Sequence, residues 1–319
     1  MGILKFVIRR LLFGLLTMFV VAGVVFFLSQ VLRDPAQAIL GRDATGDQLL
    51  QKRQALGLDR PKTEQFFSWL GDLIWHHKAP KSFTNNTGMM DFLGDRMKNS
   101  LFLMFATSVV SIPLSIVIGA VAARRRDRLF DSTTSGVNLF LAGTPEYVLG
   151  VVLLFAFATN WFHIFDGTVR IRPGQVPWHD PKALVLPVLT LALAIIPYVS
   201  RTMRASMVEV LESDYIEMAR LKGLNESTVI WRHALPNAIG PTLQVIAINV
   251  AYLVAGIVTV ESLFNFTGIG LAMRDAVLGH DAATAQFIAI FISAIYVVVN
   301  LLADLGTILV TPRLRTTMT

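Results

Sequence analysis

Six stretches of this chain are free of Asp, Glu, Lys and Arg: residues 11–32, 99–123, 147–165, 183–200, 234–260 and 282–303. A helix needs about 20 mostly apolar residues to cross the hydrocarbon core of a bilayer. The pattern therefore predicts an all-α integral membrane chain with six spans. The third is the least regular, because Gly143, Pro145 and Glu146 interrupt it and its helix can begin near Gly136. Pro113, Pro187, Pro197 and Pro241 lie in or beside spans, where each frees a backbone carbonyl and can kink its helix.

Composition sharpens this picture. Hydrophobic residues make up 54% of the 319 and charged residues 16%, against about 25% charged in a soluble domain. With no Cys, the chain has no disulfide framework, Cys-type zinc site or thiol nucleophile. Net charge is +6. No basic run interleaved with aromatics accompanies it, so nucleic acid is not an expected partner. Lys5, Arg9 and Arg10 followed by an apolar run resemble a secretory signal. That run outlasts the 7–15-residue core of one, and Arg33, Asp34 and Pro35 separate it from the small residues Ala36 and Ala38.

The distribution of cations sets orientation. One side collects Lys5, Arg9 and Arg10, then Arg124, Arg125, Arg126 and Arg128, then Arg201, Arg204, Arg220, Lys222 and Arg232, and finally Arg313 and Arg315. The short segments opposite hold Arg170, Arg172, Lys182 and Arg274. The excess predicts that both termini are cytoplasmic. The chain then divides into an N-terminus and first span (1–32), an extracytoplasmic segment (33–98) and a five-span core (99–319) with a cytoplasmic loop at 201–236. A loop as long as 33–98 rarely lacks structure. Two or three short helices are expected there, either docking a partner or covering the outer mouth.

The loop at 201–236 reads as two short helices around a turn. Asp214 is placed to cap the first, with Glu217 as its capping-box partner. Gly223 supplies a left-handed stop. Asn225 caps a second helix that runs to Leu235 before Pro236. By shape this is a docking knob or a plain amphipathic connector.

The spacing here resembles the EAA motif of ABC-importer permeases, which runs Glu-Ala-Ala, three residues, Gly, nine residues, Ile, one residue, Leu-Pro. This chain has Glu217-Met218-Ala219, Gly223, His233 and Leu235-Pro236 at those spacings, with Met218 for Ala and His233 for Ile. The run Arg232 to Leu235 with Asn237-Ala238 is similar to the peptide-permease branch. So are Leu56 to Pro61 with Gln65, Phe66 and Trp69; Lys81 to Phe83; Arg96 to Leu101; and Glu261, Phe264, Gly268, Gly270, Asp275 and Asp281. Asn300 to Leu302, Asp304 and Pro312-Arg313 complete the likeness, while Thr267 and Thr311 depart from its usual Pro and Asp.

The resemblance implies the first permease subunit of a dipeptide/oligopeptide/nickel-type importer, with a type I ABC importer-like fold. It implies a second homologous permease, two cytoplasmic ATPase domains or subunits carrying ATP and Mg, and an extracytoplasmic substrate-binding protein. Peptides are the leading cargo, with nickel chelates, glutathione-like or other small solutes as alternatives. It also implies that Glu217, Ala219, Gly223, His233, Leu235 and Pro236 couple to the ATPase. The chain itself holds no phosphate-binding loop: Gly41 and Gly46 have the first spacing of one, but Asp47-Gln48 follows. No nucleophile–base or metal-ligand constellation stands out, so neither a catalytic role nor a cofactor is expected of this chain, and His76-His77 reads as solvent-facing.

Polar groups at membrane depth are candidates for the pore. Glu146 is costly in the membrane unless it faces a cavity or a partner. It can meet the ammonium end of a peptide, or pair with Arg128 or another subunit. Tyr198, Asn249 and Tyr252 either bond between helices or contact solute. Asp304 reads as an Arg-paired acid. The remote alternative is a secondary transporter, which needs internal repeats or broken half-helices; no convincing repeat is visible.

Overall fold

The computed structural model describes residues 2–32, 35–40, 45–55, 57–74, 89–159, 161–171, 175–279 and 281–310, all helix, turn or irregular chain. His76, His77, Arg313 and Arg315 lie outside them. The helices are α1 (Gly2–Leu32), α2 (Pro35–Leu40), α3 (Gly46–Ala55), α4 (Lys62–Ile74), α5 (Met89–Arg124), α6 (Leu129–Ala142), α7 (Glu146–Leu154), α8 (Pro181–Leu211), α9 (Asp214–Leu221), α10 (Glu226–Thr228), α11 (Leu235–Leu263), α12 (Ile269–Leu278) and α13 (Ala282–Val310).

Five helical stretches are long and apolar enough to cross a membrane: Lys5–Ser29, Phe92–Arg124, Pro181–Leu211, Glu226–Leu263 and Ala282–Gly306. They coincide with five of the six expected spans. The third expected span is not one straight helix. α6 ends at Ala142, and the stretch Glu146–Thr159 leaves at 104° to it. Pro145 has no N–H to donate and disfavours helical backbone at Thr144. Thr144 Oγ instead donates to the Phe140 carbonyl at 2.8 Å. The bent pair makes a sixth crossing if it is counted as one span.

α8 is the central helix, with 67% of its apolar window buried against 17% for α1 and for α13. α5 and α8 cross with almost no gap at Gly119, where a Cβ would stand 2.6 Å from the Ser200 carbonyl oxygen and 2.7 Å from Met203 Cβ. Glycine is required there because helix axes come this close only where a side chain is missing. The main core joins Leu103 of α5, Leu186, Leu191, Ile195 and Val199 of α8, and Leu253, Ile257 and Val260 of α11. Residues outside that core, on α1 and on the far side of α5, carry exposed Leu, Val and Phe, such as Leu12, Leu15, Phe105 and Val109. An apolar surface of this extent suits a bilayer or another apolar partner.

The segment after α1 holds three short helices among its described residues, as its length predicts. α4 lies against α1 through Phe66, whose ring meets Phe19 at 5.7 Å and Phe26 at 5.4 Å. Gln65 fixes the turn before α4 by donating to the carbonyls of Leu58 (3.0 Å) and Arg60 (2.8 Å).

Candidate functional site

The loop at 201–236 is built as a two-helix knob on the end of α8. Its first residues are not loop at all, because α8 runs on to Leu211. α9 follows, and its N-cap is Ser213, one residue earlier than expected. Asp214 is the first helical residue, and no side chain caps the helix. Ser213 Oγ is already committed to the Val210 carbonyl at 2.5 Å, which closes the turn from α8.

The end of α9 follows the expected chemistry. Gly223 has φ +79°. Its N–H donates to the Arg220 carbonyl at 2.9 Å, and the Leu224 N–H to Ala219 at 3.3 Å, the paired bonds of a Schellman stop. Asn225 then caps α10, its Oδ1 accepting from the Thr228 N–H at 2.7 Å. Arg220 spans the turn with a 2.9 Å ion pair to Glu226.

The second knob helix does not stop before Pro236. It passes from α10 through a wide π-type turn, Val229–Ala234, directly into α11. Pro236 sits in the first turn of α11, where the missing N–H has no intrahelical partner to lose. The second half of the knob and the long apolar helix that follows it are therefore one continuous rod, Glu226–Leu263. π-turns of this kind occur often at functional sites.

The knob has two faces. Ile216, Ala219, Val229, Ile230 and Ala234 are buried, and they pack on Met203 and Met207 of α8 and on Ala120 and Ala123 of α5. Tyr215, Met218, Leu221, Leu224 and Trp231 are exposed, Leu221 at 75%. Glu217, Gly223 and Pro236 are also exposed, while His233 and Leu235 are half-buried. An apolar patch on a rigid projection, ringed by charge, is the anatomy of a protein docking surface.

Two ion pairs bind the end of α8, at the knob's base, to the turn after α5 and the start of α6. Arg204 grips the buried Asp131 through two bonds of 2.5 and 2.6 Å. Arg126 pairs with Glu212. Sequence reasoning missed both, although an acid and several arginines flanking adjacent spans were the available signal.

At the other end of the molecule the structure places a second buried carboxylate, also missed as a site residue. Glu261, on the last turn of α11, is fully buried. It accepts from Ser100 Oγ at 2.5 Å and from the backbone N–H of Gly270 at 2.6 Å. A Cβ on Gly268 would overlap the carboxylate, and one on Gly270 would stand 2.4 Å from Val258 Cα. The two glycines of the sequence pattern thus make room for one glutamate, which binds α5, α11 and α12 at a single point.

The pore candidates are only partly brought together. Glu146 opens α7 at the bend, half-buried and without an ion pair among the described residues. Tyr198 reaches the same bend, its hydroxyl 3.5 Å from the Ala142 carbonyl, and is 46% exposed. Asn249 is buried and donates to its own helix, at the Val245 carbonyl. Tyr252 is exposed on α11. Asp304 pairs with Arg10 at 2.9 Å, joining α1 to α13.

Residues 115–316 match the family described as the inner membrane component of binding-protein-dependent transport systems, and residues 3–104 match the corresponding N-terminal family. The chain is 33% identical over 313 residues to the "Probable peptide ABC transporter permease protein" of Sinorhizobium fredii, covering 97% of this chain and 99% of that one. It is 29% identical to the nickel import system permease protein NikB of Staphylococcus aureus, covering 99% and 93%, and 29% identical to the dipeptide transport system permease protein DppB of Lactococcus lactis, covering 98% and 99%. With its membrane-length apolar helices and a match over nearly its whole length, this chain belongs to the binding-protein-dependent transport system inner membrane components, the multi-pass permeases of ABC importers.

Proposed function

We propose that this chain forms half of a peptide translocation pore, and that the knob at 201–236 receives the movement of a cytoplasmic ATPase. The observation that carries this reading is the two-faced knob. Its buried side is continuous with α5, α8 and α11, and its exposed apolar side has no covering element among the described residues. A partner that binds this patch unequally in two states biases the equilibrium between inward and outward access. Glu217, Ala219, Gly223, His233, Leu235 and Pro236 are the coupling residues in this scheme. Ala219 and Leu235 hold the knob to the spans, Gly223 sets its turn, and Glu217 and Pro236 face the partner.

The complete machine pairs this chain with a second homologous permease, two ATPase domains or subunits that carry ATP and Mg, and an extracytoplasmic substrate-binding protein meeting the helices of 33–98. The bent pair counts as the third of six spans, and both termini are cytoplasmic. Peptide is the favoured cargo because the relatives include peptide and dipeptide permeases. The nickel permease among them keeps nickel chelates as the second reading. Glu146 and Tyr198, at the bend, and Asn249 and Tyr252, on α11, are the pore-lining candidates.

The test is uptake of labelled peptide, and separately of nickel, into vesicles holding the full co-expressed complex. ATP-dependent peptide uptake that is lost in Gly223→Asp with assembly intact supports the reading. Uptake without ATP, or indifferent to Gly223, removes it in favour of a secondary transporter. Orientation has its own assay, because the chain has no native cysteine. Thr45→Cys should react with an impermeant maleimide from outside the cell, and Ser227→Cys only after permeabilisation.

A further inference from the structure

α1 and α13 leave a cleft between them that the transport scheme does not use. They touch at Gly14, where a Cβ would stand 2.4 Å from Val297 Cγ1. Around that contact the helices enclose a hollow of about 210 Å³ lined by Arg10, Phe13, Thr17, Tyr296, Asn300 and Asp304, among others. A second hollow, lined by Phe6, Arg9, Arg10 and Phe13, adjoins it and shares Arg10 and Phe13. One end of the cleft is thus aromatic and aliphatic, and the other is cationic.

The charge at the cationic end is not neutralised. Arg10 gives its Nε and Nη2 to Asp304, at 2.9 and 3.2 Å. Its Nη1 has no acceptor among the described residues. Arg9 is exposed and lies 5.5 Å over the Phe13 ring, with no carboxylate among the described residues beside it. Lys5, one turn earlier, is exposed as well. Three cations therefore face one acid at the end of a spanning helix, beside a groove lined in part by Phe13, Val297 and Leu301. Polybasic sites at this depth, between spanning helices on the cytoplasmic side, suit anionic lipid headgroups.

We propose that this cleft binds an anionic glycerophospholipid of the cytoplasmic leaflet. The phosphate takes Arg9 and the free edge of Arg10, and an acyl chain lies along Phe13, Gly14 and Val297. The pair Arg10–Asp304 ties α1 to α13 beside the groove and is not itself needed for the headgroup contact. The leaflet assignment rests on the orientation proposed above. The headgroup assignment does not, so the two fail separately.

The experiment is native mass spectrometry of the full complex in detergent, with phosphatidylglycerol and phosphatidylcholine added in equal amounts. Wild type should retain phosphatidylglycerol preferentially. Each of Arg9→Gln and Arg10→Gln should lower that retention roughly fivefold, the weight of one cation at a membrane surface. Asp304→Asn keeps both arginines while breaking the ion pair, and should retain the lipid; loss in that variant would overturn the assignment to the arginines. Equal retention of the two lipids by wild type would also overturn the proposal. So would the same loss in Arg128→Gln, a cytoplasmic-side arginine outside the cleft. A photoreactive group at Asn300 should crosslink to lipid, and a crosslink to the second permease would make the cleft a subunit interface instead.

Discussion

Arg204 Nε and Nη2 stand 2.5 and 2.6 Å from the two carboxylate oxygens of Asp131. The pair joins the start of α6 to the extension of α8 that carries the knob. Asp131 is buried, and its second oxygen also accepts the Asp127 N–H at 3.0 Å. Asp127 itself has φ 61°, so the carboxylate also holds a turn that a non-glycine residue enters reluctantly. The knob is thus tied to the membrane core on two sides, by apolar packing on α5 and α8 and by this bidentate pair.

Removing one partner of the pair should cost more than removing both. Asp131→Asn leaves a guanidinium without its counter-charge, and a hydrogen bond to a charged group is worth about 1.5–3 kcal/mol. Since the Arg204 side chain is 31% exposed, water recovers part of that, and about 1–2 kcal/mol is expected. A double-mutant cycle with Arg204→Gln, read by thermal unfolding of the purified complex, should give a positive coupling energy of similar size. Additive losses would show that the two side chains do not act together.

Gly223 tests the turn of the knob without any clash. A Cβ there meets nothing within 4 Å, so only the φ of +79° opposes a side chain. Left-handed backbone costs an ordinary L-residue roughly 1–2 kcal/mol, and asparagine less. Transport should therefore fall in the order Gly, Asn, Ala, Val, measured as ATP-dependent uptake at matched expression. An asparagine variant as impaired as valine would mean that the position senses size at a partner surface and not backbone strain.

This turn also shows what the sequence makes legible. Gly223 and Asn225 act within one helical turn of themselves, so local rules of capping and handedness reach them. The five long apolar helices are legible because hydrophobic length is a one-dimensional property. The Asp131–Arg204 pair is not, and Asp304 reads as an Arg-paired acid without its partner being named, since each pairing depends on which helices pack together. The first rests on the approach of α5 to α8 at Gly119, the second on the crossing of α1 and α13 at Gly14. Pro236 misleads for a related reason. It reads as a helix stop, but a proline in the first turn of α11 lacks only a donor that the π-turn before it leaves unused.

Glu261 should behave as a structural clamp. Glu261→Gln keeps the shape and can keep its carbonyl toward the Gly270 and Leu271 N–H groups, which approach at 2.6 and 3.4 Å, but its amide N–H then faces Ser100 Oγ, whose hydroxyl proton loses its acceptor. A buried donor left unsatisfied costs about 1–3 kcal/mol. Gly270→Ala should be worse, because its Cβ meets backbone at 2.4 Å. Both variants should lower the melting temperature of the complex and loosen α12, seen as faster hydrogen exchange over residues 269–278. Protection unchanged in both would show that α12 is held by its apolar contacts to Phe287 and Ile288 alone.

Leu221 is where the knob should meet its partner. It is the last residue of α9 and is 75% exposed, so Leu221→Glu removes no internal packing and leaves the fold intact. An apolar residue central to a docking patch is expected to contribute about 1–3 kcal/mol to association, a factor of roughly five to a hundred and fifty. The ATPase should therefore dissociate from the variant complex during purification, while the two permeases remain together and melt as in wild type. Ile216→Glu is the matched control on the opposite face. Ile216 is fully buried, so that change should destabilise the permease itself. If Leu221→Glu retained the ATPase, the exposed face of α9 would not carry the contact, the docking face would have to lie around His233 and Pro236, and the substitution His233→Glu would then carry the loss.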